Sequence, residues 1–468
     1  MRHPHTFRRK RRLRRLGSAL AATLAAATAA LLVPAGSGSA QTLDDSVTVD
    51  FATDLGAPQH RASGILYGIT EDGANPPDEF FTGIDFRFER AGGAQLGSPG
   101  GWVAGDYQRR WDSTLAQYQR TVDLGGTFQM LPHDLWGADG TTSPRFPGDD
   151  GDWSDYDAFL DQLISDIRAA GITPQWDIWN EPDITQFWNR SQEQYLEMWD
   201  RTYARIREEL PDTVIVGPST AGEPAPDNAW WTTFLDHVAE AGTVPDIISW
   251  HEIGGSPHNQ DPAASKAAVQ QMLSDRGLTV DDYSVNEYAW PEQQNPGNSG
   301  WFISRLEHGD VDGLRANWAS GNALHDNMAG LLTQVDGVYQ PLGDWQLYRF
   351  YAGMTGTRAE VTPGADLDGY ATGDDAASRA AVLLGTKGST GTMTVDLTGL
   401  DAVTGLVQDG TVRAVVERVP WNNGGVVTGL QPVADEQLTV EGGAATVTIP
   451  WTDYHDAYTV TLLPPEGS

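Results

Sequence analysis

Cysteine is absent from all 468 residues, so disulfides and thiolate metal sites are excluded and the chain must be stable through its core alone. Basic residues are scarce: 30 Lys and Arg stand against 64 Asp and Glu, a net charge of −34. That balance excludes nucleic acid as a partner and disfavours anionic polymers, unless a local basic pocket compensates. Gly92-Gly93 is followed by no helix-opening glycine fingerprint with Lys-Ser or Lys-Thr, so it is not a phosphate loop. A zinc-protease pattern fails as well, because His251-Glu252 has Gly255 where a second histidine is required. Sequence repeats are lacking too. A long uncharged apolar run occurs once, at Leu16–Val33.

That run has the setting of a secretory signal. Eight Lys or Arg and no acid lie between Met1 and Arg15, and the small residues Gly36 to Ala40 follow the run. At 18 residues it reaches the lower edge of a membrane-spanning length, but its alanine content argues against an anchor. Cleavage after Ala40 is expected, starting the mature chain near Gln41, secreted and without a membrane segment. The arginines do not form a convincing twin-arginine consensus, which favours general secretion. Losing those eight charges leaves 22 basic against 64 acidic side chains, about −42 net.

The length suits a barrel of about 250 to 300 residues plus a smaller module. Short strand-like runs occur at 64–69, 84–90, 127–131, 174–179, 214–217, 247–250, 283–287 and 314–318. Helical patterns separate them at 154–169, 191–210, 229–241 and 263–276. The clearest helix puts Phe159, Leu160, Leu163, Ile164 and Ile167 on one face, with Ser154 and Asp157 as a capping box. Strand followed by helix, repeated, predicts a (β/α)8 barrel, an α/β architecture. From about Arg358 the pattern changes to alternating Val and Thr with Gly, at 380–384, 392–397, 412–419 and 445–449, which predicts a β-sandwich. Ser46–Phe51 alternates as a half-buried strand ahead of the barrel.

Two strand ends carry the chemistry. Trp176-Asp177-Ile178-Trp179-Asn180-Glu181-Pro182 ends in a glutamate beside an amide, and Tyr283-Ser284-Val285-Asn286-Glu287 repeats the arrangement 106 residues later. Barrel enzymes keep their reactive groups at carboxyl strand ends. Cleaving a glycosidic bond requires one protonated carboxyl for the leaving oxygen and one ionised carboxylate for the oxocarbenium-like centre. A separation of about 5 to 5.5 Å implies retention of anomeric configuration. A lone Asn-Glu-Pro also suits a helix start, but two matched strand ends make that reading the minority one.

Asn180-Glu181-Pro182 after a strand, with Glu287 ending a later one, resembles the clan A glycoside hydrolases and family 39 most closely. The resemblance spans roughly Ser63 to Gly356. It implies an eight-stranded α/β barrel, with Glu181 as acid/base on strand four and Glu287 as nucleophile on strand seven. Asn180 would bind the sugar 2-hydroxyl, Arg90 would hydrogen-bond the nucleophile and keep it ionised, and His251 would face the substrate. It also implies that the early strand joins the sandwich. The expected layout is signal 1–40, sandwich strand 41–55, barrel 56–357 and sandwich 358–468.

Arg87 rivals Arg90. His133, ending the third strand beside Asp134, is placed to meet a sugar hydroxyl or to serve structure. Glu252 has a solvated or ion-paired loop role as its alternative to a supporting one. Of the 17 tryptophans, Trp290 and Trp318 fall at or after the seventh and eighth strand ends and are expected to contact sugar, while Trp179 reads as core. Asp149, Asp150, Asp152 and Asp155 lack the ligand pattern of a calcium loop and read as solvated charge. Neither cofactor nor metal is implied. The negative charge of Glu287 is expected to help raise the pKa of Glu181. The partner expected is a neutral carbohydrate, β-xyloside first and arabinoside among the alternatives. A carbohydrate-binding protein without activity and a transglycosidase stand as rival readings.

Overall fold

The computed structural model describes residues 41–94, 100–139, 143, 145–254, 261–317 and 327–465. The expected signal and Trp318 lie outside them. Among the described residues no helix is long and apolar enough to cross a membrane.

Eight parallel strands close into a barrel: Gly64–Leu66, Phe88–Ala91, Thr127–Met130, Gln175–Asp177, Ile215–Thr220, Ile247–Glu252, Asp282–Tyr288 and Asp312–Arg315. Each strand-like run expected from the sequence overlaps one of these, because apolar β-branched and aromatic runs bounded by turn residues suit strands buried on both faces. Closure between the last strand and the first needs glycine. A Cβ on Gly64 would stand 2.6 Å from the Gly313 carbonyl oxygen, where Leu314 pairs with Gly64.

The helix Ser154–Ala170 buries Phe159, Leu160, Leu163, Ile164 and Ile167, the face its periodicity predicts. Its expected capping box does not form. Trp153 is the N-cap residue and makes no side-chain bond, and the Ser154 amide donates instead to Asp152 Oδ1 at 2.9 Å. The next two helices, Gln192–Glu209 and Ala229–Ala241, are capped by side chains of Ser191 and Asn228.

Asp45–Asp54 lies inside the sandwich sheet, antiparallel to Thr357–Thr362 and parallel to Ser389–Thr398. Val47, Val49 and Phe51 face its core while Thr48 and Asp50 do not, so the two-residue period sets which face is buried. Four sandwich strands, Thr357–Thr362, Leu367–Asp374, Gln431–Thr439 and Ala457–Leu463, were not among the ranges read from the sequence. Gln431–Thr439 is largely exposed and carries little alternation. The sandwich rests on the helix that follows the seventh barrel strand, Pro296–Gly309, where a Cβ on Gly300 would stand 3.0 Å from the Leu384 carbonyl oxygen and from Gly385 Cα.

Candidate active site

Asp177 is an acid inside an apolar strand, fully buried, and can be tolerated only if paired. Arg90, on the second strand and equally buried, supplies the charge: its Nε donates to Asp177 Oδ2 at 2.6 Å. The rest of the guanidinium fork is also used. Nη1 donates to Glu287 Oε1 at 2.7 Å and Nη2 to Asn180 Oδ1 at 2.8 Å. One planar cation thereby fixes the ends of strands four and seven relative to each other. Ser219 Oγ and Asn286 Nδ2 donate to the remaining Asp177 positions, both at 2.8 Å, and Ser219 also bonds Ser249 at 2.7 Å.

Glu181 stands on a left-handed backbone, φ 43°, unusual for a side chain of its size. Its amide donates to the Ser219 carbonyl at 2.8 Å, which holds that conformation. His251, at the end of strand six, lies between the two glutamates. Its Nδ1 is 2.8 Å from Glu181 Oε1 and its Nε2 is 3.7 Å from Glu287 Oε1. One atom from each of the three residues falls in a group whose members are within 4.8 Å of one another. Both carboxylates have hydrogen-bonding neighbours in this cluster, His251 for Glu181 and Arg90 for Glu287.

Burial pushes the Glu181 carboxyl up to about 7, against the opposing pull of Arg90 and then His133. The expected contribution from the charge of Glu287 is not among the causes; desolvation raises it. Glu287 is also raised by burial, opposed by His251 and Arg90 and reinforced by Glu181. Burial depresses His251 to about 4, so the ring is neutral at neutral pH and carries one N–H. Burial thus favours the protonated form of Glu181, while at Glu287 the arginine and His251 oppose the rise that burial causes.

The remaining expected residues fall in distinct places. Asn180 spends its oxygen on Arg90, which leaves its amide N–H groups for a hydroxyl. His251, expected to face the substrate, has no exposed surface, and its neighbours are the two carboxylates. His133 is buried, with Nδ1 2.9 Å from Asp134 Oδ1 and its ring edge-on to Trp179 and Phe187; its Nε2 has no partner among the described residues. Arg87 reaches the Gln59 carbonyl and takes no part in the site. Trp290 is 37% exposed beyond the seventh strand, whereas Trp179 is packed edge-on against Trp188. Asp149 pairs with Arg190 and Asp155 with Arg145 rather than standing as free loop charge.

Glu252 is not solvated, as one alternative had it, but fully buried, and it forms no ion pair among the described residues. It accepts from Trp250 Nε1 at 2.8 Å and is raised to about 8 by burial, with buried Glu223 adding to the rise. Sequence reasoning missed Asp177, Ser219 and Asn286. An acid between Trp176 and Ile178 was the available signal for the first, but nothing local marks Ser219.

Comparison with known proteins shows what the chain resembles. The model of Glycosyl hydrolases family 39 matches residues 154–281. A 3-O-alpha-D-galactosyl-alpha-L-arabinofuranosidase of Bifidobacterium longum subsp. longum is 25% identical over 521 aligned positions, covering 94% of this chain and 43% of the relative. A 3-O-beta-L-arabinopyranosyl-alpha-L-arabinofuranosidase of Bifidobacterium pseudocatenulatum is 25% identical over 484, covering 90% and 47%. The chain thus spans under half the length of these curated relatives. A solved protein from Neocallimastix frontalis superposes with a TM-score of 0.72 at 21% identity, covering 90% of this chain and 100% of that one, a likeness of fold. Barrel, carboxylate pair and relatives together make the chain similar to the clan A glycoside hydrolases. Within that clan the chain is most like family 39.

Proposed function

We propose that the chain is an exported retaining glycosidase that removes α-L-arabinofuranosyl units, including 3-O-substituted ones, from a neutral plant or microbial glycan. The observation that carries this reading is the pairing of Glu181 and Glu287 across the barrel mouth. One oxygen of each lies within 4.8 Å of the other, which supports the short carboxyl separation of double displacement over the about 6.5 to 9.5 Å that admits a water. The sugar is suggested by the names of the two bifidobacterial relatives.

In the first step Glu181 gives its proton to the leaving oxygen as the glycosidic C–O bond breaks, and Glu287 bonds to the anomeric carbon. Arg90 and His251 both approach Oε1 of Glu287, which leaves Oε2 for attack. Ionised Glu181 then takes a proton from water, whose oxygen displaces Glu287. Arg90 serves as a positioning residue and electrostatic anchor, and the amide of Asn180 is free to donate to the 2-hydroxyl as charge develops.

The test is a panel of aryl glycosides led by α-L-arabinofuranoside and β-D-xylopyranoside, with the first-formed anomer followed by NMR and Glu287→Ala as control. Arabinofuranoside cleavage with retention, lost in the variant, is expected. Inversion, or undiminished cleavage by Glu287→Ala, would refute the mechanism; preference for xyloside would refute the sugar.

A further inference from the structure

Three aromatic rings form a column on the sandwich, at its contact with the barrel. The Trp421 ring lies on that of His455, centroids 4.2 Å apart and 17° from parallel, and Tyr454 lies 3.8 Å from His455 at 31°. All three side chains are half-buried. The column is held by polar bonds. His455 Nδ1 bonds Asp453 Oδ1 at 2.7 Å and the Trp421 amide donates to Asp456 Oδ1 at 2.8 Å.

Its position follows from the chain path. The Gly297 amide donates to the His455 carbonyl at 2.8 Å, and a Cβ on Gly297 would meet the Tyr454 carbonyl oxygen. Gly297 opens the helix that follows barrel strand seven. The loop after Trp421 reaches the barrel segment that follows strand eight, where the Val427 amide donates to the Pro341 carbonyl at 3.0 Å. Both contacts are therefore made to segments that leave carboxyl ends of barrel strands, the face that holds Glu287. Ten residues separate Glu287 from Gly297, which bounds their distance at about 35 Å. Exposed Trp290 lies on the connecting segment.

We infer that Trp421, His455 and Tyr454 form an accessory sugar-binding ledge, contributed by the sandwich, for parts of a neutral glycan extending beyond the unit cleaved. Flat, preorganised rings suit the apolar faces of sugars and lose little freedom on binding. The exposed Asn423 and Asp453 bring polar groups from the same two loops for ring hydroxyls. Arg418, on the strand leading to Trp421, is paired with Asp456 at 3.2 Å. The inference rests on the proposed glycosidase reading for the identity of the glycan.

Trp421→Ala and, independently, Tyr454→Ala test it in the full chain. KM for branched and linear arabino-oligosaccharides is expected to rise about fivefold, with kcat/KM for aryl arabinofuranoside and the melting temperature unchanged. Equal loss on both substrates together with a lowered melting temperature would assign the rings to packing, and an unchanged KM in both variants would also overturn the ledge. Retardation in gels containing arabinan is measured in parallel on Glu287→Ala with and without Trp421→Ala. Retardation abolished by loss of Trp421 supports the ledge even if no glycoside is hydrolysed; retardation insensitive to that loss, or its absence, counts against it.

Discussion

Glu181→Gln tests the site most sharply, because activity and stability should change in opposite directions. In the folded chain the carboxyl titrates at about 7 and the reference value for the unfolded chain is 4.5, with burial as the principal cause. Below pH 4.5 the group is protonated in both states and costs nothing. As pH rises from 4.5 to 7 the unfolded chain releases its proton while the folded chain retains it, so stability falls by about 1.4 kcal/mol per pH unit. Above pH 7 the loss is constant, about 3 kcal/mol. Glutamine has the same shape, does not titrate, and can still bond His251 Nδ1. Denaturant unfolding should therefore show the variant close to wild type at pH 4.5 and about 3 kcal/mol more stable at pH 8. Wild-type kcat/KM should fall about tenfold per pH unit above 7, and the variant should lose that limb along with turnover of substrates with poor leaving groups. A stability difference independent of pH, or a basic limb that survives in the variant, would refute the burial argument.

Arg90→Met removes the cation shared by Asp177, Glu287 and Asn180; a cost of about 3 to 5 kcal/mol is expected in denaturant unfolding, with an acidic limb of the rate profile moved to higher pH as Glu287 loses its partner. A loss of under 1 kcal/mol would mean that Asp177 is adequately satisfied by Ser219 and Asn286. Glu252→Gln, away from the reacting pair, should raise the melting temperature more at pH 9 than at pH 5, since burial holds that carboxyl at about 8 and its ionisation costs stability above its unfolded value. Trp290→Ala should raise KM for arabinosides with little change in melting temperature, because the ring is 37% exposed; equal loss of stability and activity would reassign it to packing.

The barrel was legible because its strands are short apolar runs and its helices keep a strict apolar face, as in Ser154–Ala170, where local propensity and burial demand the same residues. Glu181 and Glu287 were legible because each ends such a run beside an asparagine. The sandwich was legible only in part, since an edge strand such as Gln431–Thr439 buries too little to leave an alternating pattern.

Residue types and their order along the chain thus determined the architecture and named the two carboxylates, since hydrophobic periodicity and strand-end chemistry are local properties. Tertiary structure decided everything that depends on who meets whom. It turned Asp177 from an oddity in an apolar strand into the anchor of Arg90, and buried His251 between the glutamates. It also made desolvation, a property of the whole fold, the cause of the raised Glu181 carboxyl. It brought Trp421 and His455, 34 positions apart, into one stack against the barrel. Contacts across such separations are set by how the two cores close and leave no mark in the residues between.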